Sequence, residues 1–506
     1  MKNIHLNLLI LSTMTISLIG CKKNVESKYQ FPEMDSSDSL ITEAVENELA
    51  HYNEVPSNLI DVETKEGIVR LTGSINNILA KEKAVEITST VRGVKGIINE
   101  LDVNTEFVPN NLLEDRINKL YYMDPVIISD EITVKADSGR VVLTGIVDSW
   151  SKEKLAKELA ESVTGVRSVE DDMNIEYEKF RPDYEIARDI EGLLNYDIYI
   201  NPDSVEIKVD KGTVTLSGIV GSLFEKSRVI ADAWVESVDT VISNDLKIDP
   251  AIKPPMIDYE KYKHVTDNEI KEAVENTLFF DARVVSTGII IKVSKGYVTL
   301  MGTVDNLRAK KAAQDDAENV IGVWNVLNRI KVRPQGIQPK NAIADNTREA
   351  LKQSPYLRYQ DIKIIEDNGS VYLTGEVNNN FERNEAEKIA SGIPGVVEVV
   401  NNIEVNQTPL LSYPSKYHSS SSIITKPHLN KPDSKIKEDI EKELWWSPFV
   451  NEKEVKVEVK DGVATLSGTV DTELERKYAE KNAMEGGAIA VTDDLQTRFG
   501  PNTLIP

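Results

Sequence analysis

Two hydrophobic rhythms alternate along this chain, and each occurs six times. The first is strict alternation, clearest in Gly67-Ile68-Val69-Arg70-Leu71-Thr72-Gly73, where Val69 and Leu71, with Ile75 beyond, fall on one side of an extended segment. The same text returns as Gly139–Gly145, Gly212–Gly218, Gly296–Gly302, Gly369–Gly375 and Gly462–Gly468. The inward leucine repeats as Leu143, Leu216, Leu300, Leu373 and Leu466, and two residues before it stands Val, or Ala464 in the last copy. A strand with one buried face is predicted here, with the two glycines serving positive-φ turns at its ends.

The second rhythm is helical and flanks the first. Upstream, an amphipathic stretch ends in Leu49, Leu120, Leu194, Leu278, Leu351 or Leu444, and a further alternating run such as Val205-Glu206-Ile207-Lys208-Val209 leads into the glycine strand. Downstream, a charged helix carries small inward residues at Ala84, Ala156, Val229, Ala313, Ala386 and Ala479. It is predicted to stop at Gly93-Val94, Gly165-Val166, Gly322-Val323 and Gly395-Val396, where glycine suits a left-handed C′ position. The third copy has Ser237-Val238 instead and the sixth Gly486-Gly487-Ala488, so those two ends are expected to differ. A last strand, for example Val326 to Val332, closes each unit. The order is αββαβ, an α+β class, at residues 37–104, 110–176, 183–249, 266–332, 341–405 and 433–497.

Two longer connections interrupt the repeats. A Pro-rich linker over 250–265 contains Lys253-Pro254-Pro255, and a second over 406–432 contains Ser419 to Ser422 and several prolines. The last repeat is therefore expected to move independently of the first five.

Composition narrows the function. The chain has 506 residues, 40% hydrophobic and 28% charged, which excludes a multi-span membrane protein. With 59 basic against 83 acidic side chains, the net charge of −24 argues against nucleic acid as a partner, because such affinity comes largely from cations on phosphates. The single cysteine cannot close an intramolecular disulfide. Its position gives it another role. Lys2 and the apolar run Leu6 to Ile19 read as a signal peptide over residues 1–20, and 21–36 as a tether. Leu18-Ile19-Gly20-Cys21 resembles the lipobox of bacterial lipoproteins, which implies acylation of Cys21, cleavage before it and attachment to a membrane. Lys22 after it resembles the outer-membrane sorting signal, implying an envelope protein facing the periplasm. Removal of residues 1–20 takes Lys2 with it and moves −24 to −25.

Catalytic patterns are not apparent. His5, His51, His264, His418 and His428 stand at no metal-ligand spacing, no Gly-x-Ser-x-Gly elbow or phosphate loop occurs, and neither cofactor, metal nor catalytic residue is expected. One recurrent feature is aromatic. At the end of the first helix come Tyr52, Tyr121-Tyr122, Tyr196, Phe279-Phe280, Tyr356 and Trp445-Trp446, the last followed by Phe449. An aromatic under the loop caps a core. The doubled pairs Tyr121, Tyr122, Phe279, Phe280, Trp445 and Trp446 are candidates for membrane or partner contact.

The helix, the Gly-x-Val-x-Leu-x-Gly strand, the alanine-bearing second helix and the final Gly-Val strand together resemble the BON domain of bacterial osmotically induced and nodulation proteins. The resemblance implies a three-stranded sheet with two helices on one face. It also implies a non-enzymatic envelope protein linked to osmotic stress, binding anionic phospholipid or other envelope components. The alternative is a periplasmic spacer or adaptor that holds protein partners without headgroup affinity.

Overall fold

The alternating runs pair as their periodicity requires. In a computed structural model, which describes residues 37–124, 126–127, 131–177, 180–252, 265–334, 341–405 and 431–498, each repeat builds its own three-stranded sheet. The first two strands are antiparallel and the third joins the second in parallel, as in repeat 3, where Val205–Asp210, Thr213–Val220 and Thr240–Ile248 lie side by side. One face of every glycine strand is buried: Leu71, Leu143, Leu216, Leu300, Leu373 and Leu466 are all fully enclosed. Against that face pack the first helices, Asp38–His51, Asn110–Met123, Asp183–Tyr196, Asp267–Phe280, Ala342–Gln353 and Asp433–Trp446. Beside them lie the second helices, Ile78–Ser89, Trp150–Glu161, Leu223–Asp232, Leu307–Glu318, Asn380–Ser391 and Glu473–Glu485. The inward alanines, and Val229, have no exposure, which allows the second helix to approach the sheet closely.

Polar side chains fix the ends of these elements. Asn77, Ser149, Ser222, Asn306, Asn379 and Thr472 cap the second helices by accepting from an amide three residues on. The Asp183 carboxylate, in the first turn of its helix, accepts from Lys211 N (2.9 Å) and Gly212 N (3.1 Å) and so ties the helix to the hairpin turn. Asp38, Asp267 and Asp433 do the same in repeats 1, 4 and 6. Those two backbone bonds hold the Asp38 carboxyl below its usual range.

The two glycines of the motif differ from each other. The first sits in a two-residue turn with positive φ at both positions, as at Lys211 (50°) and Gly212 (74°). The second is not a turn at all. Gly218 lies inside the strand at φ 127°, and a Cβ there would stand 2.0 Å from the Ser204 carbonyl oxygen, so close approach of backbone explains the glycine.

Three further expectations change. In repeat 2 the buried position of the first helix is Tyr121, not Leu120, and its hydroxyl donates to the Ala156 carbonyl at 2.8 Å. The second helices end at Ser89, Glu161, Glu318 and Ser391, a full turn before Gly93, Gly165, Gly322 and Gly395, which keep positive φ outside the helix. Repeat 6 does not stand apart: its helices pack on repeats 1, 3 and 4 through contacts described below. Most of the Pro-rich and Ser-rich linkers lies outside the described residues.

Candidate functional site

An α-helix leaves its last carbonyls without partners inside the helix. In three of the six first helices the carbonyl of the last residue is satisfied by another repeat, always in the same way. Trp446 O accepts from Arg92 N (3.2 Å), Gln353 O from Thr164 N (3.0 Å), and Tyr196 O from Ile321 N (2.9 Å). The donors hold equivalent places, the residue just before the glycine that follows the second helix. The acceptors are equivalent too, two residues beyond the buried Leu444, Leu351 or Leu194. The repeats are thereby joined in nested pairs, 1 with 6, 2 with 5 and 3 with 4.

Side chains return the contact in the opposite direction. Tyr196 packs on the core of repeat 4 while Phe280 packs on that of repeat 3. Trp446 lies on the joint core of repeats 1 and 2, and Met123 on that of repeat 5. Ile198 N adds a bond to Asn319 O (3.1 Å), Thr164 Oγ1 a second bond to Gln353 O (2.7 Å), and Lys119 pairs with Glu349. Where three repeats meet, Tyr199, Ile321 and Phe449 are buried together, and the Tyr199 and Tyr478 hydroxyls are 3.2 Å apart.

The aromatic candidates are therefore spread over different environments. Tyr121 is enclosed in its own repeat, which removes it from any surface. Trp445 lies beneath the Arg92 guanidinium (5.2 Å), Trp446 and Phe280 are half-buried in seams, and of the six only Tyr122 (81%) and Phe279 (61%) are largely exposed. A helix places consecutive residues about 100° apart, so in the Tyr and Phe pairs one member is covered while its neighbour is exposed, and Trp445 differs because Arg92 covers it.

Sequence spacing missed a second feature, because its parts are almost 400 positions apart. In the seam of repeats 1 and 6, ligand atoms of Glu48, His51 and Glu443 all lie within 4.8 Å of one another. Burial, reinforced by the Glu485 charge, raises the Glu48 carboxyl to about 7. Burial with the charges of Glu48 and Glu485 raises Glu443 to about 8. Lys481 supplies the opposing charge: it pairs with Glu485 (3.2 Å) and donates to the Tyr52 hydroxyl (2.5 Å). Burial opposes its charged form, yet Glu485 and Tyr52 raise its pKa. Such a group can bind protons, and its three ligand atoms have the chemistry to hold a cation. Cys21 lies outside the described residues, and among those described no helix is long and apolar enough to cross a membrane.

The donor positions carry a signal that the sequence did contain. Repeats 3, 5 and 6, whose corresponding turns receive no such helix end, read Glu236-Ser237, Pro394-Gly395 and Gly486-Gly487. Proline has no N–H to donate. Departure from the common turn thus separates the repeats that receive a helix end from those that insert one.

Comparison with known proteins finds the same six repeats. The BON domain model matches residues 37–105, 110–177, 182–250, 266–334, 339–407 and 432–498. The osmotically-inducible protein Y of Escherichia coli (strain K12) is 28% identical over 143 residues, covering 27% of this chain and 71% of that protein. The outer membrane lipoprotein DolP of Haemophilus influenzae is 31% identical over 141 residues, 27% of this chain and 72% of that one. Both likenesses span about the length of two repeats. Six sheets of one topology, each inside one of six matched segments, make this chain a member of the BON domain family.

Proposed function

We propose that the protein is a non-enzymatic lipoprotein of the bacterial envelope, held to the outer membrane by acyl chains on Cys21, whose docked BON domains bind envelope components and support envelope integrity under osmotic stress. The observation that carries this reading is Leu18-Ile19-Gly20-Cys21 ahead of six BON domains, supported by relatives named for osmotic induction and for outer-membrane lipidation. Each buried methylene of an acyl chain contributes roughly 0.8 kcal/mol, so two or three chains suffice for durable attachment. The body needs no span of its own. The charge of the mature chain, −24 less the Lys2 removed with the signal, or −25, repels anionic headgroups, which leaves Tyr122 and Phe279 as the most exposed candidate aromatics for phospholipid contact.

Replacing Cys21 by Ser is expected to move the protein from the membrane fraction to the soluble one and to abolish labelling by palmitate; retention in the membrane overturns the anchor. Flotation of an acyl-free form, residues 22–506, with anionic and with neutral liposomes tests headgroup binding separately. The adaptor reading is favoured by one observation: three of the six candidate aromatics, Trp445, Trp446 and Phe280, are engaged in seams between repeats. Failure to float with either liposome, with specific proteins retained on the same form, selects it.

A further inference from the structure

The seam of repeats 1 and 6 contains its own cation. The Arg92 guanidinium lies over the Trp445 ring (5.2 Å) with the Glu452 carboxylate at 3.7 Å, while Trp445 and Trp446 meet edge to face. The equivalent turn of repeat 3 receives no helix carbonyl among the described residues, yet an aromatic pair again lies beside it, without the arginine. Phe279 and Phe280 of repeat 4 meet edge to face (5.1 Å) as the two tryptophans do, and Phe280 packs on repeat 3 as Trp446 packs on repeat 1. The residue in the place of Arg92 is Glu236. Phe279, in the place of the covered Trp445, is 61% exposed.

Where the arginine is missing, a cleft of about 390 Å³ opens between repeats 2, 3 and 4. Its aromatic wall consists of Phe279, Phe280, Tyr177 and the stacked pair Trp150 and Trp234, whose rings are 5.7 Å apart. Its charged groups are mostly acidic. Asp148 is engaged by Lys152, and Asp281 by Arg283 at 2.5 Å. Glu236 makes no ion pair among the described residues; Arg181, which senses its charge, is held by Asp189 at 2.6 Å. An ammonium already rests on this wall, since Lys154 lies 5.4 Å over the Trp150 ring. Aromatic faces beside an unmatched carboxylate attract organic cations and offer little to anions.

We infer that the cleft between repeats 2, 3 and 4 is a binding site for a basic side chain, an arginine or lysine, of a partner polypeptide, which takes the place that Arg92 fills from within the chain in the seam of repeats 1 and 6. A partner polypeptide is the occupant because the internal template is a side chain, and the acidic surface around the cleft draws basic segments toward it.

The test uses the full chain and a short arginine-bearing peptide, with its citrulline counterpart as the uncharged control, read by tryptophan fluorescence and calorimetry. The arginine peptide is expected to bind and the citrulline peptide to bind at least about tenfold more weakly, as removal of a cation from an aromatic site requires. Glu236→Arg supplies the missing guanidinium internally and is expected to abolish binding. Phe279→Ala, on an exposed ring, is expected to weaken it roughly tenfold without change in the circular dichroism spectrum. Glu46→Arg, the same charge change on an exposed helix face of repeat 1, is expected to leave affinity unaltered. Equal binding of the citrulline peptide, or equal loss in Glu46→Arg and Glu236→Arg, overturns the proposal in favour of diffuse charge attraction.

Discussion

The seam between repeats 1 and 6 and the seam between repeats 3 and 4 share one backbone contact and little else. In both, the last carbonyl of a first helix meets the amide before the glycine that follows a second helix. Around that bond the first seam places Glu48, His51 and Glu443, with Arg92 on Trp445 and Lys481 on Tyr52. The second places Tyr196, Ile198 and Ile321 and adds a return bond from Ile198 N to Asn319 O. One backbone contact thus recurs between different pairs of repeats, while the side chains around it determine which solution condition separates them. The first seam gathers two raised carboxyls, one from each repeat; beside the second, Asp197 is held by Arg228 next to Asp232, whose carboxyl is raised to about 8 by burial and the Asp197 charge, so the first responds more strongly to pH.

Trp446→Ala breaks the comparison most severely. It removes a ring lodged on the joint core of repeats 1 and 2, and truncation of a packed tryptophan costs about 3 kcal/mol or more. Hydrogen exchange of the Arg92 amide is expected to rise steeply while that of the Ile321 amide in the other seam is unchanged. Equal loss of protection at both amides shows that the seams are one cooperative unit.

Change of pH ranks second. Glu48 and Glu443 titrate near 7 and 8 when docked, against an ordinary 4.5, so the docked state binds more protons than the separated one over that interval. Their contribution is complete below about 4.5 and is lost as pH rises through 7 and 8, with Lys481 charged throughout. The expected loss between pH 5 and pH 9 is roughly 2 kcal/mol, less than the summed shifts because water enters an opening seam. After correction for intrinsic exchange rates, the Arg92 amide is expected to lose protection relative to the Ile321 amide. An unchanged ratio shows that the two carboxyls reach water in the docked state.

Much of each repeat could be read from the residues. The buried Leu216 and its five counterparts, the inward Ala84 series and the order of elements follow from period two and period 3.6 alone. In repeat 2 the leucine series points to Leu120 where Tyr121 is the buried residue, because both are apolar neighbours and helical periodicity does not choose between them. The seams were not legible, since Glu48 and Glu443 come together through the packing of whole repeats and no local rhythm encodes that. Their markers were nevertheless visible as exceptions: Glu236-Ser237, Pro394-Gly395 and Gly486-Gly487 stand where the receiving repeats carry Arg92-Gly93, Thr164-Gly165 and Ile321-Gly322.

Tyr196→Ala sharpens the comparison from the apolar side. The ring is half-buried and the two reciprocal backbone bonds survive its loss, so the expected destabilisation is about 1–2 kcal/mol, with a weaker dependence on pH between 5 and 9 than that of Trp446→Ala. Urea unfolding at both pH values checks it, and a pH dependence equal to that of Trp446→Ala would show that the two seams are coupled through Tyr199, Phe449 and Tyr478.

The smallest effect isolates the backbone contact itself. Thr164 gives Gln353 O two hydrogen bonds, one from its amide and one from its hydroxyl. Thr164→Val removes the second and Thr164→Pro removes both. Repeat 5 carries Pro394 at this very place and forms the same turn, with Gly395 at φ 94° against Gly165 at 103°, so proline is compatible with the backbone. Any loss in Thr164→Pro therefore measures docking, not local strain. A net hydrogen bond contributes about 1 kcal/mol, and the proline variant is expected to cost roughly twice the valine variant. Exchange at the amides of Thr164 neighbours and of the helix Ala342–Gln353 reports it. If the proline variant leaves repeat 5 as protected as before, the shared bond follows from docking and side chains alone choose the pairs; if repeat 5 loosens while repeats 3, 4 and 6 do not, the amide is what makes a repeat a receiver.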